Sequence, residues 1–265
     1  YFVTAKANAT LLTSIDAVDE TWTVDDHGFG SLFKSSWKLL RKLWKAKPDL
    51  YIDLETYSYY STAIATMSCA RNRFGFYRAE RNIRMGMYTH MMFFNARAPI
   101  AQSYLQMARL IGCREIVNEL FPFSVRDSEK SSFRKKLETQ IGKILSTYIV
   151  INANASDLRI ERRWPGENVI SLISIIRKRF PEISIILIGA NNEKPWVDSI
   201  YNSLSPDVND KVYNTAGSFT LPELFALLNE ARLIITNDTG PMHISFALRK
   251  PTICLFGPAS PTQYG

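Results

Sequence analysis

The run Asn237-Asp238-Thr239-Gly240-Pro241-Met242-His243 sets helix-capping residues, a glycine and a proline between two apolar segments. Leu233–Thr236 ahead of it is a short apolar, β-branched stretch of the kind buried in a parallel sheet. Pro241 is preorganised for a first helical turn, Met242–Leu248 supplies the helix, Arg249 and Lys250 suit its C-terminal end, and Pro251 stops it. Thr252–Phe256 then reads as a second strand. A strand feeding straight into a helix start leaves free N–H groups at the C-terminal edge of a sheet, which suits a phosphate-sized anion. The same spacing also fits an ordinary β-α-β unit in which Asp238 or Thr239 only caps the helix.

Three more loops of the second half carry polar chemistry. Asn152–Ser156 (NANAS) is small enough for close backbone approach to a ligand and includes Asn154 and Ser156. Arg162-Arg163-Trp164-Pro165 follows, and then Gly189-Ala190-Asn191-Asn192-Glu193. Arg162 is either a site cation or a solvated one. Glu193 either accepts vicinal hydroxyls or caps the next helix. In the first half, carboxylates Asp53 and Glu55 end a strand. Arg71, Arg73, Arg78, Arg81 and Arg84 then interleave with Phe74, Phe76 and Tyr77. Such a cluster suits sugar phosphate and also nucleic acid. His90 is a further polar candidate, although a lone histidine more often serves structure.

The elements that must position these groups alternate. Strands are expected at Tyr1–Thr4, Trp22–Val24, Leu50–Leu54, Arg73–Phe76, Tyr148–Asn152, Ile183–Ile188, Lys211–Tyr213 and Leu233–Thr236. Helices are expected at Ala5–Ser14, Ser31–Lys47, Tyr57–Cys69, Pro99–Cys113, Phe133–Leu145, Glu167–Phe180, Trp196–Leu204 and Leu221–Asn229. Near-continuous apolar strands alternating with helices mean doubly wound parallel sheets. Polar Phe121–Ser132 reads as a linker. The expected organisation is a lobe over 1–122, a linker and helix over 123–145, and a second lobe over 146–265, with a cleft between the lobes. In Ser31–Lys47, Leu32, Phe33, Trp37, Leu40, Leu43 and Trp44 share one stripe amid lysines. It can cover a sheet or lie on a membrane, and the sheet is favoured because Pro48-Asp49 leads directly into a strand.

Composition narrows the class. The 46% hydrophobic and 22% charged content is ordinary for a folded globular chain, and no apolar run approaches the roughly 18 residues of a membrane span. The net charge of +7 sits wholly in residues 1–145, where 21 Lys/Arg face 14 Asp/Glu. Such a field favours anionic partners, whether nucleic acid, phosphorylated glycolipid or a membrane face. Cys69, Cys113 and Cys254 share no metal-ligand spacing and fit a reduced compartment.

NDTGPMH, with Lys250-Pro251 and the LFGP strand end, resembles the donor-site signature of glycosyltransferase family 9, the ADP-heptose:lipopolysaccharide heptosyltransferases. RRWP at Arg162–Pro165 and the Glu193 loop are similar to further elements of that family, as are DLExxxxxS at Asp53–Ser61, RFGF at 73–76, YTH at 88–90 and YLxxxxxxG at Tyr104–Gly112. The resemblance implies a two-lobed GT-B architecture, α/β, with an acceptor-side lobe followed by a donor lobe. It implies a nucleotide-diphosphate-sugar as substrate, no separate cofactor, no metal and inverting transfer to an anionic glycolipid or glycan. It places Arg162 on the donor diphosphate and Glu193 on the ribose. Asn154, Ser156, Asp238, Thr239, Gly240, Pro241 and His243 complete the expected donor site, and Arg73, Arg78 and His90 the acceptor side. The family's catalytic Asp has no counterpart here, which suggests truncation, and Glu55 is the substitute base. Cytoplasmic location with peripheral inner-membrane contact is the expectation, without nucleic acid. The rivals are a GT-B-shaped sugar-nucleotide epimerase and a basic nucleic-acid-binding module.

Overall fold

The computed structural model describes residues 1–78, 83–115, 117, 119–120, 124–155 and 157–264. Ser156, Arg81 and the first residues of the expected linker, 121–123, lie outside them. The chain divides into two compact units. The first comprises Tyr1–Thr13, Ala17–Glu119 and a C-terminal turn of helix, and the second Ser14–Asp16 with Leu120–Ser260.

In the first unit, β1 (Phe2–Ala5) leads through α1 (Ala9–Leu12) to β2 (Thr21–Val24), its parallel partner. Helix α2 (Phe29–Ala46) precedes β3 (Leu50–Ile52), α3 (Tyr59–Met67), β4 (Asn72–Tyr77), β5 (His90–Phe93) and α4 (Ile100–Ile111). Strands β3, β4 and β5 form a parallel sheet in that order. The strands of this unit thus fall into a pair and a triplet, where one sheet was expected, and no described pairing joins the two. Strand β5, whose sequence is His90-Met91-Met92-Phe93, was not among the expected strands. It forms by pairing its whole length with β4, from Phe74 opposite His90 to Tyr77 opposite Phe93. Gly75 is required there: a Cβ would come within 2.6 Å of the Tyr88 ring.

The α2 stripe divides. Leu39, Leu40 and Leu43 are buried against Trp22, Val24 and Ile64, so the helix covers β-structure as expected. Phe33, Trp37 and Trp44 do not join that core and stay exposed, because the contact is centred on the leucine side of the helix.

The second unit opens with α5 (Asp127–Ile141), which starts inside the stretch expected as linker. The Glu129 side chain accepts from the Arg126 amide at 3.0 Å and caps that start. There follow β6 (Tyr148–Asn152), α6 (Gly166–Arg179), β7 (Ser184–Leu187), α7 (Lys194–Asn202), α8 (Pro206–Asn209), β8 (Val212–Asn214), α9 (Leu221–Glu230), β9 (Leu233–Asn237), α10 (Gly240–Ala247) and β10 (Thr252–Leu255). The final α11 (Pro261–Tyr264) belongs to the first unit. The five strands are parallel in the order β10-β9-β6-β7-β8, the doubly wound sheet that the apolar strands dictate. Ile149, Ile151, Ile185, Leu187, Val169 and Ile173 fill its core. The order reverses between β6 and β9, and the loops leaving their C-terminal ends part there. That is where an open α/β sheet binds ligands.

Candidate functional site

A pocket of about 490 Å³ opens at the C-terminal edge of the five-stranded sheet. Asn152 after β6, Ile188, Gly189, Ala190 and Glu193 after β7, and Thr215 after β8 line it. So do Phe219, Leu221 and Leu224 around the start of α9, and Asp238, Thr239, Gly240 and Pro241 between β9 and α10. Arg162 closes the set. Arg162 and Gly240, far apart in sequence, therefore face one cavity.

Its polar floor is built by asparagines. Asn152 Nδ2 donates to Thr236 Oγ1 at 3.0 Å and to Thr239 Oγ1 at 2.9 Å, pinning the loop after β9 to the strand beside it. Asn154 does not line the pocket. It is buried, and its Nδ2 donates to Asn152 Oδ1 at 3.0 Å and to the Ile188 carbonyl at 2.6 Å. Of the two, Asn152 lines the pocket and Asn154 lies behind it. Gly189 cannot carry a side chain, since a Cβ would lie 2.8 Å from Asn154 Nδ2.

Opposite charges meet on the far wall. Asp238 is 3% exposed, and its Oδ2 accepts no hydrogen bond. The nearest cation is Arg162, with Nη1 at 3.4 Å from that oxygen and 3.4 Å from the Asp238 carbonyl. A buried carboxylate oxygen with only one loose ion pair retains capacity to accept a hydroxyl. The Thr239 and Gly240 backbone N–H groups make no backbone hydrogen bond among the described residues. Pro241 has none to offer. A Cβ on Gly240 would meet no atom within 4 Å, so the backbone there borders open space.

The neighbouring arginines of RRWP take different parts. Arg163 Nε and Nη2 donate to the Ala155 carbonyl at 3.2 and 3.0 Å, and its guanidinium lies 5.7 Å over Trp196. It stabilises the loop, while Arg162 faces the pocket. Gly257, in the LFGP strand end, lets β10 exit against that loop: a Cβ would lie 3.2 Å from the Glu161 carbonyl. Glu193 lines the pocket and also accepts from the Ala190 amide at 2.8 Å. The capping reading therefore holds, and the carboxylate keeps lone pairs to spare toward the pocket. His243 is exposed on α10 and outside the lining. Crowding by protein lowers its imidazole pKa, opposed by the Asp238 carboxylate.

Sequence reasoning marked Asn152 only as the start of NANAS, and missed Thr215 and the apolar wall of Phe219, Leu221 and Leu224. A signal for the wall exists: Thr220 and Glu223 form a capping box, with the Thr220 amide 2.8 Å from Glu223 Oε2. That box fixes a helix start at the sheet edge.

The residues expected on the acceptor side do not gather. Arg73 and His90 stand at the N-terminal ends of β4 and β5, whereas Glu55 and Arg78 follow the C-terminal ends of β3 and β4. Five residues of strand separate Arg73 from Arg78, roughly 16 Å. Arg73 is held by the Ala70 and Met87 carbonyls at 2.7 and 3.2 Å. His90 stacks on Phe74 at 4.3 Å and meets Thr89 Oγ1 at 2.9 Å. Arg78 is exposed, its guanidinium 4.3 Å over the Tyr57 ring. Glu55 is exposed, while Asp53 is buried and spent on structure. Asp53 Oδ2 accepts from Ser61 Oγ at 2.8 Å and from Tyr88, and Oδ1 accepts from the Glu55 amide at 3.0 Å. Burial and the Asp53 carboxylate push the Tyr88 pKa up, so the phenol keeps its proton. Among the described residues one group has metal-ligand geometry, Asp25, Asp26 and His27 in the first unit, outside the lining of the pocket.

The model of glycosyltransferase family 9 (heptosyltransferase) matches residues 36–265. Lipopolysaccharide heptosyltransferase 1 of Campylobacter coli is 27% identical over 232 residues, covering 82% of this chain and 64% of its own length. The chain therefore spans less than two thirds of that relative. The crystal structure of a family 9 glycosyl transferase from Veillonella parvula superposes with a TM-score of 0.85 at 19% identity, over 99% of this chain and 74% of that one. The E. coli ADP-heptose lps heptosyltransferase II superposes at 0.76 and 20%, over 98% and 76%. The parallel α/β architecture is thus the one shared by GT-B heptosyltransferases. On the extent of the family match, the chain belongs to glycosyltransferase family 9.

Proposed function

We propose that the second unit holds the nucleoside diphosphate of a sugar donor, and that the enzyme moves heptose from ADP-heptose to a lipopolysaccharide-type acceptor, inverting the anomeric carbon. One observation carries the donor reading: Arg162, Glu193, Asp238, Thr239, Gly240 and Pro241 line a single pocket. The names of the Campylobacter and E. coli relatives support the sugar and the acceptor.

The pocket has a wall for each part of such a donor. Phe219, Leu221 and Leu224 offer a flat apolar surface to a base, and Glu193 offers a carboxylate to the ribose hydroxyls. The Thr239 and Gly240 amides with Arg162 take the diphosphate, and Asp238 Oδ2, which accepts no hydrogen bond within the protein, takes a sugar hydroxyl. In the reaction the acceptor oxygen bonds to the anomeric carbon and the bond from that carbon to the diphosphate oxygen breaks. The electron pair stays on phosphate. Charge grows beside the Thr239 and Gly240 N–H groups and the Arg162 guanidinium, which lowers the barrier without a metal ion. The acceptor proton leaves to a base, and Glu55 is the carboxylate we assign to it.

Calorimetric titration with ADP tests the donor site. Arg162→Ala weakens binding at least tenfold. So does Gly240→Val, whose methyl groups project into open space and leave the melting temperature within a few degrees of wild type. Unchanged ADP affinity in both variants overturns the assignment. An epimerase would isomerise the donor with no acceptor present, and the proposal predicts no such product.

A further inference from the structure

We propose that the exposed face of α2, with the adjoining part of α3, is a docking surface for an anionic lipid bilayer. Helix α2 already has a core side, Leu39, Leu40 and Leu43, and its large aromatic residues are surplus to it. Phe29 is 95% exposed, Phe33 77%, Trp37 52% and Trp44 40%. The first three recur at four-residue spacing, and Trp44 continues the same side. They form one stripe along the helix.

The stripe is fixed in place. Trp37 meets Trp44 edge-on at 5.6 Å, Trp44 Nε1 donates to the Met67 carbonyl at 2.8 Å, and Ser36 Oγ and Tyr60 Oη of α3 lie 2.7 Å apart. Tyr60 and Met67 are themselves exposed and extend the patch. On the α-helical periodicity, Lys34, Lys38, Arg41 and Lys45 form the next row, and all are exposed. From Phe29 to Lys47 the chain has six cations and no carboxylate, and α3 has none either.

Charge and shape together select the partner. Lysines attract any polyanion, but solvated lysines do not need four exposed aromatic rings beside them. A bilayer surface uses both: rings settle at the boundary between head groups and acyl chains, and the ammonium groups reach lipid phosphates. No described helix is long and apolar enough to cross a membrane, so the contact is peripheral. It does not depend on the nucleotide pocket of the other unit.

Flotation of the full chain with phosphatidylcholine vesicles, with and without phosphatidylglycerol, tests this. The wild-type protein floats only with the anionic vesicles, and added salt weakens it. Phe33→Ser/Trp37→Ser and Lys34→Glu/Lys38→Glu each reduce the bound fraction at least tenfold, while ADP affinity and melting temperature hold. Equal flotation with neutral vesicles, no flotation, or variants that bind as wild type does each overturn the proposal. So does a dimer that the serine variant dissolves, which assigns the face to a second copy. Salt-sensitive binding to an oligonucleotide without vesicle binding assigns it to nucleic acid and overturns the proposal equally.

Discussion

Polar groups end differently in the two units. In the first, Asp53, Tyr88, Arg73 and Arg84 are used up inside the fold. Arg84 is 1% exposed, with Nη1 donating to the Glu55 carbonyl at 2.6 Å and Nη2 to that of Ser58 at 2.5 Å. At the sheet edge of the second, Asp238 Oδ2 has no hydrogen bond, Arg162 touches it loosely, and the Thr239 and Gly240 amides make no backbone hydrogen bond among the described residues. A residue type that suits chemistry marks a site only when its neighbours leave capacity unspent. Arginines and carboxylates are plentiful in both units, and satisfaction by neighbours separates them.

Three substitutions sharpen this contrast, in falling order of effect. Asp53→Ala leaves the Tyr88 and Ser61 hydroxyls and the Glu55 amide without their acceptor. A loss of about 3 kcal/mol in urea unfolding is expected, with ADP affinity unchanged. A loss under 1 kcal/mol would show that Asp53 is not a structural hub.

Glu223 is the corresponding structural carboxylate of the second unit. Burial alone would raise its pKa, but Lys136 Nζ at 2.7 Å, Ser132 Oγ at 2.7 Å and the Thr220 N–H and hydroxyl outweigh that and hold it at about 2. It ties α5 to α9. The unfolded carboxyl titrates near 4.5, so between the two values the folded state binds fewer protons. The stabilisation is full above pH 4.5 and is lost as pH falls toward about 2. Glu223→Gln is expected to cost about 2 kcal/mol at neutral pH and to flatten the acid limb of the stability curve. An unaltered acid limb would place that pH dependence elsewhere.

Arg78→Ala is the smallest change. It removes one exposed guanidinium from the Tyr57 ring and is expected to cost about 0.5 kcal/mol, measured by the same unfolding assay.

The second unit was legible in sequence because its strands are apolar throughout and its loops follow them directly. β6 matches its expected bounds, and β7 to β10 fall within a residue or two of theirs. The anion-suited turn after β9 was readable because a cap residue, glycine and proline occur together. The apolar wall at Phe219 was not, since its residues are ordinary core types and only the sheet brings them to the pocket. Choosing Arg162 over Arg163 rested on family resemblance, because side by side the two are chemically equal. In the first unit, the short apolar run Met91–Phe94 that carries β5 fits a strand or a buried helix segment equally, and pairing with β4 decides it. The burial of Asp53 depends on Tyr88, thirty-five residues away. The α2 periodicity was plain, but which half of a wide aromatic stripe would face the core depended on where Trp22 and Ile64 lie.

A crystal structure of the chain with ADP tests the central claim most directly. The account predicts the diphosphate against the Thr239 and Gly240 amides, Arg162 turned from Asp238 onto a phosphate oxygen, and the ribose hydroxyls on Glu193. ADP bound elsewhere, or bound with Arg162 still paired to Asp238 and its phosphates away from Gly240, would contradict it.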